Sequence, residues 1–213
     1  MEYNAMAVVN DYNIRFPLKF LSFLQRHCMP LHPIHPVVER LHGFANEMRL
    51  ASPTLSDTES HIAPFSVKAK DWGIFICTIF DEWVKEDVRN YYIQLFDSTL
   101  TNWIGEQPGV CSLASTCGHA GIMEFNGDVF SCDHFVFPEH RLGNLNQQSL
   151  TEMMYCEKQW NFGNNKQSYL PLQCKTCDYY FACHGECPKN RFLHTAKGEY
   201  GLNYLCAGYK GFF

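Results

Sequence analysis

Little in this sequence marks it for nucleic acid or for a membrane. Its 17 Lys and Arg are outnumbered by 22 Asp and Glu, for a net charge of -5 and a pI near 6.0. The basic surface that phosphate backbones and anionic lipids demand is therefore missing. The longest apolar stretch, Gly73 to Phe80, is far short of the roughly 20 residues a spanning helix needs. No charged-then-apolar leader opens the chain, and no Asn-x-Ser/Thr acceptor occurs. These absences predict a cytoplasmic protein with neither a nucleic-acid nor a membrane partner. With 46% hydrophobic and 18% charged residues, the 213-residue chain can bury a sizeable core in one large or two small domains.

Cysteine, by contrast, is abundant, with eleven in the chain. A reducing compartment disfavours disulfides and turns attention to metal or redox chemistry. Four thiols fall in the fourteen residues from Cys174 to Cys187, too dense for ordinary core cysteines, and Cys174/Cys177 has the two-residue gap that lets both sulfurs reach one metal centre. Cys111, Cys117 and Cys132 form an upstream group, and Cys206 follows Cys187 by nineteen positions. The C-terminal hundred residues or so thus offer eight thiolates, two sets of four. Zinc is the competing metal, because Cys174/Cys177 is also a zinc-type spacing; zinc sites, however, usually pair two such knuckles and only one is present. Cys28, Cys77 and Cys156 are isolated and read as packing residues. His119, His134 and His184 sit beside the grouped cysteines and read as supporting or surface groups, since enough thiols are already at hand.

The rest of the chain reads as strands alternating with helices. A short apolar run over Tyr3 to Asn10 predicts a strand, and Phe16, Phe20, Phe23, Leu24 and His27 fall at helical spacing. Met29 to Val38 carries three prolines yet ends in Pro-Val-Val-Glu-Arg, a strand delivering Glu39 and Arg40 to a loop. Ala51 to Ala63 is a polar loop. Trp72, Phe75, Ile76, Ile79, Phe80 and Trp83 predict an amphipathic helix, and Tyr91 to Phe96 a further strand. That order implies right-handed crossovers and part of a parallel sheet. Composition changes at Pro108-Gly109. Ile122 to Cys132 is a hairpin around Asn126-Gly127, with Phe125 opposite Asp128, Met123 opposite Phe130 and Gly121 opposite Cys132. If the strand continues, Asp133 points away from the Cys132 sulfur. Ser149 to Trp160 predicts a helix with a capping box of Ser149 and Glu152. Beyond it the chain reads as loops hung on cysteines, for which metal coordination supplies much of the folding energy.

The eight-cysteine pattern has gaps of five and fourteen residues, then two, five, three and eighteen. It resembles the SPASM domain of radical S-adenosylmethionine enzymes, and in particular that of the anaerobic sulfatase-maturating enzymes. Supporting stretches are Phe80-Asp81-Glu82-Trp83-Val84, Gln94-Leu95-Phe96-Asp97, Asn102-Trp103-Ile104-Gly105, Ser131-Cys132-Asp133-His134-Phe135 and Cys187-Pro188-Lys189-Asn190-Arg191. The resemblance implies an α/β fold: the C-terminal portion of a partial (β/α) radical-SAM barrel over residues 1–107, then a small cysteine-rich SPASM domain with a β-hairpin over 108–213. It implies two [4Fe-4S] clusters, one on Cys111, Cys117, Cys132 and Cys187, the other on Cys174, Cys177, Cys183 and Cys206. The three-cysteine loop that carries the S-adenosylmethionine-cleaving cluster in the family has no counterpart here. S-adenosylmethionine and a third [4Fe-4S] cluster are thus expected only in a full-length form.

In function, the resemblance implies oxidation of a sulfatase Cys or Ser to formylglycine after a 5′-deoxyadenosyl radical takes a hydrogen from the side-chain β-carbon. Asp133 matches the family's general base and would accept the substrate proton, while a nearby cluster would accept the electron. The partners implied are a sulfatase polypeptide and an electron donor such as flavodoxin or ferredoxin. Asp133 also reads as an ordinary turn aspartate. If made alone, the chain would be a non-catalytic iron-sulfur or zinc binding fragment.

Overall fold

The computed structural model describes residues 6–27, 31–43, 48–53, 60–88 and 90–213. Cys28 and the start of the expected first strand lie outside the described residues, and that strand is seen as β1 (Ala7–Val9). Helix α1 (Pro17–His27) follows, then β2 (Leu31–His32) and β3 (Ile34–Pro36). Arg40 does not enter a loop as expected. It opens β4 (Arg40–His42), which lies between β5 (Arg49–Leu50) and β6 (His61–Ile62) in an antiparallel sheet. Helix α2 (Ala69–Glu86) and strand β7 (Tyr92–Ile93) come next. β1 pairs with β3 and β2 with β7, both parallel, the pairing that helical crossovers require.

The strand expected over Tyr91 to Phe96 is cut short at Ile93, and Gln94 begins α3 (Gln94–Trp103). Leu95, Phe96, Thr99 and Asn102 are all buried at helical spacing, and the Thr99 hydroxyl donates to Leu95 O at 2.8 Å. Packing of that face outweighs the strand-like run of aromatic and β-branched residues before it.

The main core is built on α2, where Trp72, Phe75, Ile76, Ile79 and Trp83 are all buried. Each such side chain contributes about 1.5–3 kcal/mol on leaving water. Phe20 stacks edge-on against Phe75, and Phe96 against Phe80. The same core takes in Leu113, Leu205 and Tyr209 from the cysteine-rich part. Helix α8 (Cys206–Phe212) crosses α2 with backbones nearly touching. A β-carbon on Gly73 would lie 2.8 Å from Gly208 Cα, and one on Gly208 would lie 2.1 Å from Ala69 O.

In the hairpin, β8 (Ile122–Met123) pairs with β9 (Asp128–Phe130), Ile122 opposite Phe130 and Met123 opposite Val129. This register differs by one from the expected one. Glu124 N–H donates to Asp128 O, leaving a three-residue loop that closes on Gly127 at φ +87°. A type I turn followed by a left-handed glycine replaces the two-residue turn. β10 (Arg141–Asn144) completes this antiparallel sheet.

The predicted capping box is present: Ser149 Oγ accepts from Glu152 N–H, and the Glu152 carboxylate accepts from Ser149 N–H at 2.9 Å. The helix it starts, α4 (Leu150–Met154), ends early, because Tyr155 leaves helical geometry and Cys156 is extended. A second helix, α5 (Glu157–Ser168), follows in place of one continuous helix. The final segment holds α6 (Leu172–Lys175), α7 (Tyr180–Cys183) and a strand pair, β11 (Leu193–His194) with β12 (Tyr200–Leu202), before α8. No helix among the described residues is long and apolar enough to cross a membrane.

Candidate metal centres

The eight grouped cysteines line two cavities, four to each. Cys111, Cys117, Cys132 and Cys187 line a cavity of about 210 Å³. Cys174, Cys177, Cys183 and Cys206 line a smaller one of about 30 Å³. Each thiol arrives on a short, locally fixed element. Cys111 opens a 3₁₀ turn, Cys117 N–H donates to Gly163 O of α5 at 3.1 Å, and Cys132 follows β9 in extended geometry. Cys174 and Cys177 are joined by a turn bond of 3.1 Å, Cys183 ends α7, and Cys206 begins α8. Cys187 sits at the mouth of a 3₁₀ turn begun by Pro188. Tyr209 lies on the wall of both cavities.

All described cysteines are free thiols. Burial pushes Cys132 and Cys183 up to about 12 and Cys174 to about 11, and raises Cys187 well above its ordinary value. Burial likewise raises Cys117 and Cys206. The backbone two residues on works the other way in three cases, lowering the thiol pKa at Cys132 from His134, at Cys183 from Gly185 and at Cys187 from Lys189. Such an effect favours the thiolate. Burial holds these thiols neutral, so a cationic centre bound by them would release protons as it binds. Among the described residues, no three His, Cys, Asp or Glu groups converge tightly enough to hold a single ion. Four sulfurs around a cavity suit a multi-iron cube, whose ligands bind different irons, better than one zinc with all sulfurs about 2.3 Å from a point.

Asp133 is not on the far side of the strand from Cys132. The strand ends at Phe130, residues Asp133–Phe135 form a 3₁₀ turn, and Asp133 Oδ1 accepts from the Cys132 thiol at 3.1 Å and from His134 N–H at 3.0 Å. The turn breaks the alternation on which the expectation depended. Burial works to raise the Asp133 pKa. The Cys132 bond, the nearby His134 and the backbone donors outweigh it, and the carboxyl lies below its ordinary value. Asp133 is exposed, and it lines both the larger thiol cavity and a neighbouring one of about 170 Å³ bounded by Glu39, Arg40 and Lys189. The Lys189–Glu39 ion pair ties this corner to the start of β4.

His134 shares the two cavities with Asp133, whereas His119 stacks on Tyr155 and His184 meets Tyr180 edge-on. Cys77 Sγ donates to Gly211 O at 3.6 Å, consistent with a packing role, and Cys156 precedes α5. Periodicity and motif gave no warning of Lys166, a lysine on a polar helix that is 1% exposed. Its ammonium donates to the carbonyls of Cys111 and Ser112.

Comparison with known proteins adds to this geometry. The SPASM family, an iron-sulfur cluster-binding domain, matches residues 117–178. A serine-type anaerobic sulfatase-maturating enzyme of Bacteroides thetaiotaomicron is 58% identical over 213 residues, covering 100% of this chain and 51% of that protein. A cysteine-type anaerobic sulfatase-maturating enzyme of Clostridium novyi (strain NT) is 26% identical over 215 aligned residues, covering 100% of this chain and 53% of its own length. Among solved structures, native anSMEcpe with bound AdoMet superposes with a TM-score of 0.76 at 24% identity, over 100% of this chain and 54% of that one, which bears on the fold alone. The chain spans about half the length of the curated relatives it matches. With 58% identity along its whole length and an iron-sulfur cluster-binding domain match over residues 117–178, the chain corresponds to the C-terminal half of the serine-type anaerobic sulfatase-maturating enzyme it matches.

Proposed function

We propose that this chain is the electron-accepting, substrate-side part of an anaerobic sulfatase maturase, acting with a portion that cleaves S-adenosylmethionine to convert a sulfatase side chain to formylglycine. The observation that carries the reading is the sorting of eight cysteines into two four-thiol cavities. Cys111, Cys117, Cys132 and Cys187 would hold one [4Fe-4S] cluster and Cys174, Cys177, Cys183 and Cys206 the other. Clusters held by four thiolates supply one-electron acceptance.

Residues 108–213 supply all the ligands and form the cluster unit. Residues 1–107, the barrel portion, contribute β3 to the wall of the larger cavity through Ile34, His35 and Pro36. The division is one of ligand supply and not of packing, since the core around Trp72 draws on Leu205 and Tyr209. Asp133 would take the proton of a substrate hydroxyl or thiol, a reading supported by its lowered pKa and its opening on two cavities. The identity of 58% to a serine-type enzyme, against 26% to a cysteine-type one, favours a seryl substrate. A sulfatase polypeptide is the expected partner, as is a small reductant protein such as flavodoxin or ferredoxin.

Anaerobic reconstitution with iron and sulfide tests the cluster reading. The chain should take up about eight of each, two four-iron clusters' worth. Stoichiometric zinc without sulfide would overturn it. The activity reading is tested by joining the chain to the other half of the enzyme and following formylglycine in a seryl peptide by mass.

A further inference from the structure

A buried set of charges lies against the two cavities, and the chemistry above does not use it. Lys166 is 1% exposed and Arg191 7%. The Lys166 ammonium is held by neutral carbonyls, those of Cys111 and, at 2.8 Å, Ser112. The Arg191 guanidinium donates to His184 O at 2.9 Å, Gly185 O at 2.8 Å and Glu186 O at 2.7 Å, and also to Lys166 O. Among the described residues, neither cation has a carboxylate ion-pair partner. Glu186, itself 5% exposed, gives its carboxylate to the side-chain amides of Asn190 and Asn203.

The peptide that Arg191 grips is the link between the two sites. His184, Gly185 and Glu186, at φ +46°, +73° and +53°, run in left-handed geometry from Cys183 of the smaller cavity to Cys187 of the larger. Two of the three are not glycine, and such residues persist only where the surroundings hold them. The guanidinium, bonded to all three carbonyls, is that hold.

Two buried cations with one buried carboxylate, Glu186, near them leave an excess of positive charge that is costly to bury, so a further anion belongs beside them. Lys166 binds the carbonyls of Cys111 and Ser112, in a ligand loop of the larger cavity, whereas Arg191 binds the 184–186 link that joins the two cavities. The larger cavity therefore feels both cations and the smaller one mainly Arg191. A four-thiolate cluster is anionic, and one added electron makes it more so. A nearby buried cation stabilises the reduced state more than the oxidised one, because Coulomb energy scales with the charge it meets.

We propose that Lys166 and Arg191 raise the reduction potential of the cluster in the Cys111, Cys117, Cys132 and Cys187 cavity above that of its neighbour, with Glu186 as the opposing charge. This rests on the cluster reading above. Neither cation touches substrate; both act through the ligand loops.

Potentiometric titration of the reconstituted chain with dithionite, followed by electron paramagnetic resonance, tests it alongside iron and sulfide analysis. Lys166→Met should keep both iron and sulfide and move the more positive of two midpoint potentials to a more negative value, the other moving less. Lys166→Arg should return it towards the parent. Glu186→Gln, nearly the same shape, should shift in the opposite direction. If Lys166→Met loses a cluster, the Glu186→Gln shift decides: a positive displacement supports the proposal and none overturns it. Full iron and sulfide with unmoved potentials in both variants overturns this inference alone, whereas an unsubstituted chain without sulfide brings down the cluster reading beneath it.

Discussion

The thiol of Cys132 donates to the carboxylate of Asp133 at 3.1 Å, so the candidate base and a candidate iron ligand share one cavity wall. The bond needs a proton that an iron-bound thiolate lacks. Loading the site would therefore release Asp133 from its neighbour and leave its carboxylate with acceptor capacity for a substrate proton.

If that carboxylate is the base, Asp133→Asn in the rejoined enzyme keeps size and loses proton acceptance. Clusters and cleavage of S-adenosylmethionine should persist while formylglycine falls about 10²-fold or more. Parallel assay of 5′-deoxyadenosine and formylglycine checks this. An Asn variant with the parent yield would reduce Asp133 to a turn residue, and one that loses iron would make its role structural.

The smaller cavity can be emptied selectively. Cys177→Ala should remove about half of the iron and loosen residues 178–213, whose short helices and single strand pair rely on the metal for much of their order. Hydrogen exchange should then rise across α7 and α8 while β8, β9 and β10 stay protected. Uniform exchange throughout the chain would contradict two independently filled sites.

Gly208→Ala places a methyl 2.1 Å from Ala69 O, backbone that cannot step aside without moving α2 or α8. Overpacking of this kind costs about 1–3 kcal/mol, and more against backbone. A lowered melting temperature is expected, with loss of iron from the Cys206 site because Cys206 begins the displaced helix. Unchanged melting and iron would mean that the helix crossing yields to the added methyl and does not hold the two backbones in place.

Ser149→Ala removes the acceptor of Glu152 N–H at the start of α4 and should cost about 1 kcal/mol in denaturant unfolding of the loaded protein. Glu152→Gln retains an acceptor for Ser149 N–H and should cost less. Equal losses would argue that charge near the helix start, and not the reciprocal bonds, matters here.

Among the described residues, β1 pairs only with β3. Met6, Val8, Leu18 and Phe23 nearby are at least half exposed. An open parallel edge beside apolar surface invites association. Light scattering on the isolated chain should show self-association that the rejoined other half of the enzyme suppresses. A monodisperse monomer would count against an incomplete barrel.

Much of this was legible because the relevant physics is local. The period of Trp72, Phe75, Ile76, Ile79 and Trp83 places a buried face on α2, Ser149 and Glu152 meet within one turn, and the thiol spacings mark eight candidate ligands without any fold in view. Turn chemistry at Asn126-Gly127 located the hairpin but led to a register one residue off, because two- and three-residue loops both use a glycine at positive φ and only the Glu124–Asp128 bond chose between them.

Other features were decided by tertiary packing. Which four thiols share a cavity depends on how α5, α7 and α8 are stacked, since Cys187 joins Cys111 from far along the chain and not its neighbour Cys183. Lys166 lies on a helix of mostly polar residues with no apolar stripe to announce a buried side, and only the approach of the Cys111 loop and Arg191 removes it from water. The sequence by itself determined which residues can bind metal and where the long helix must bury its face, because both follow from spacing along the chain. The tertiary structure decided which four thiols share a cavity and where charge is buried between the two, because both depend on contacts between segments distant in sequence.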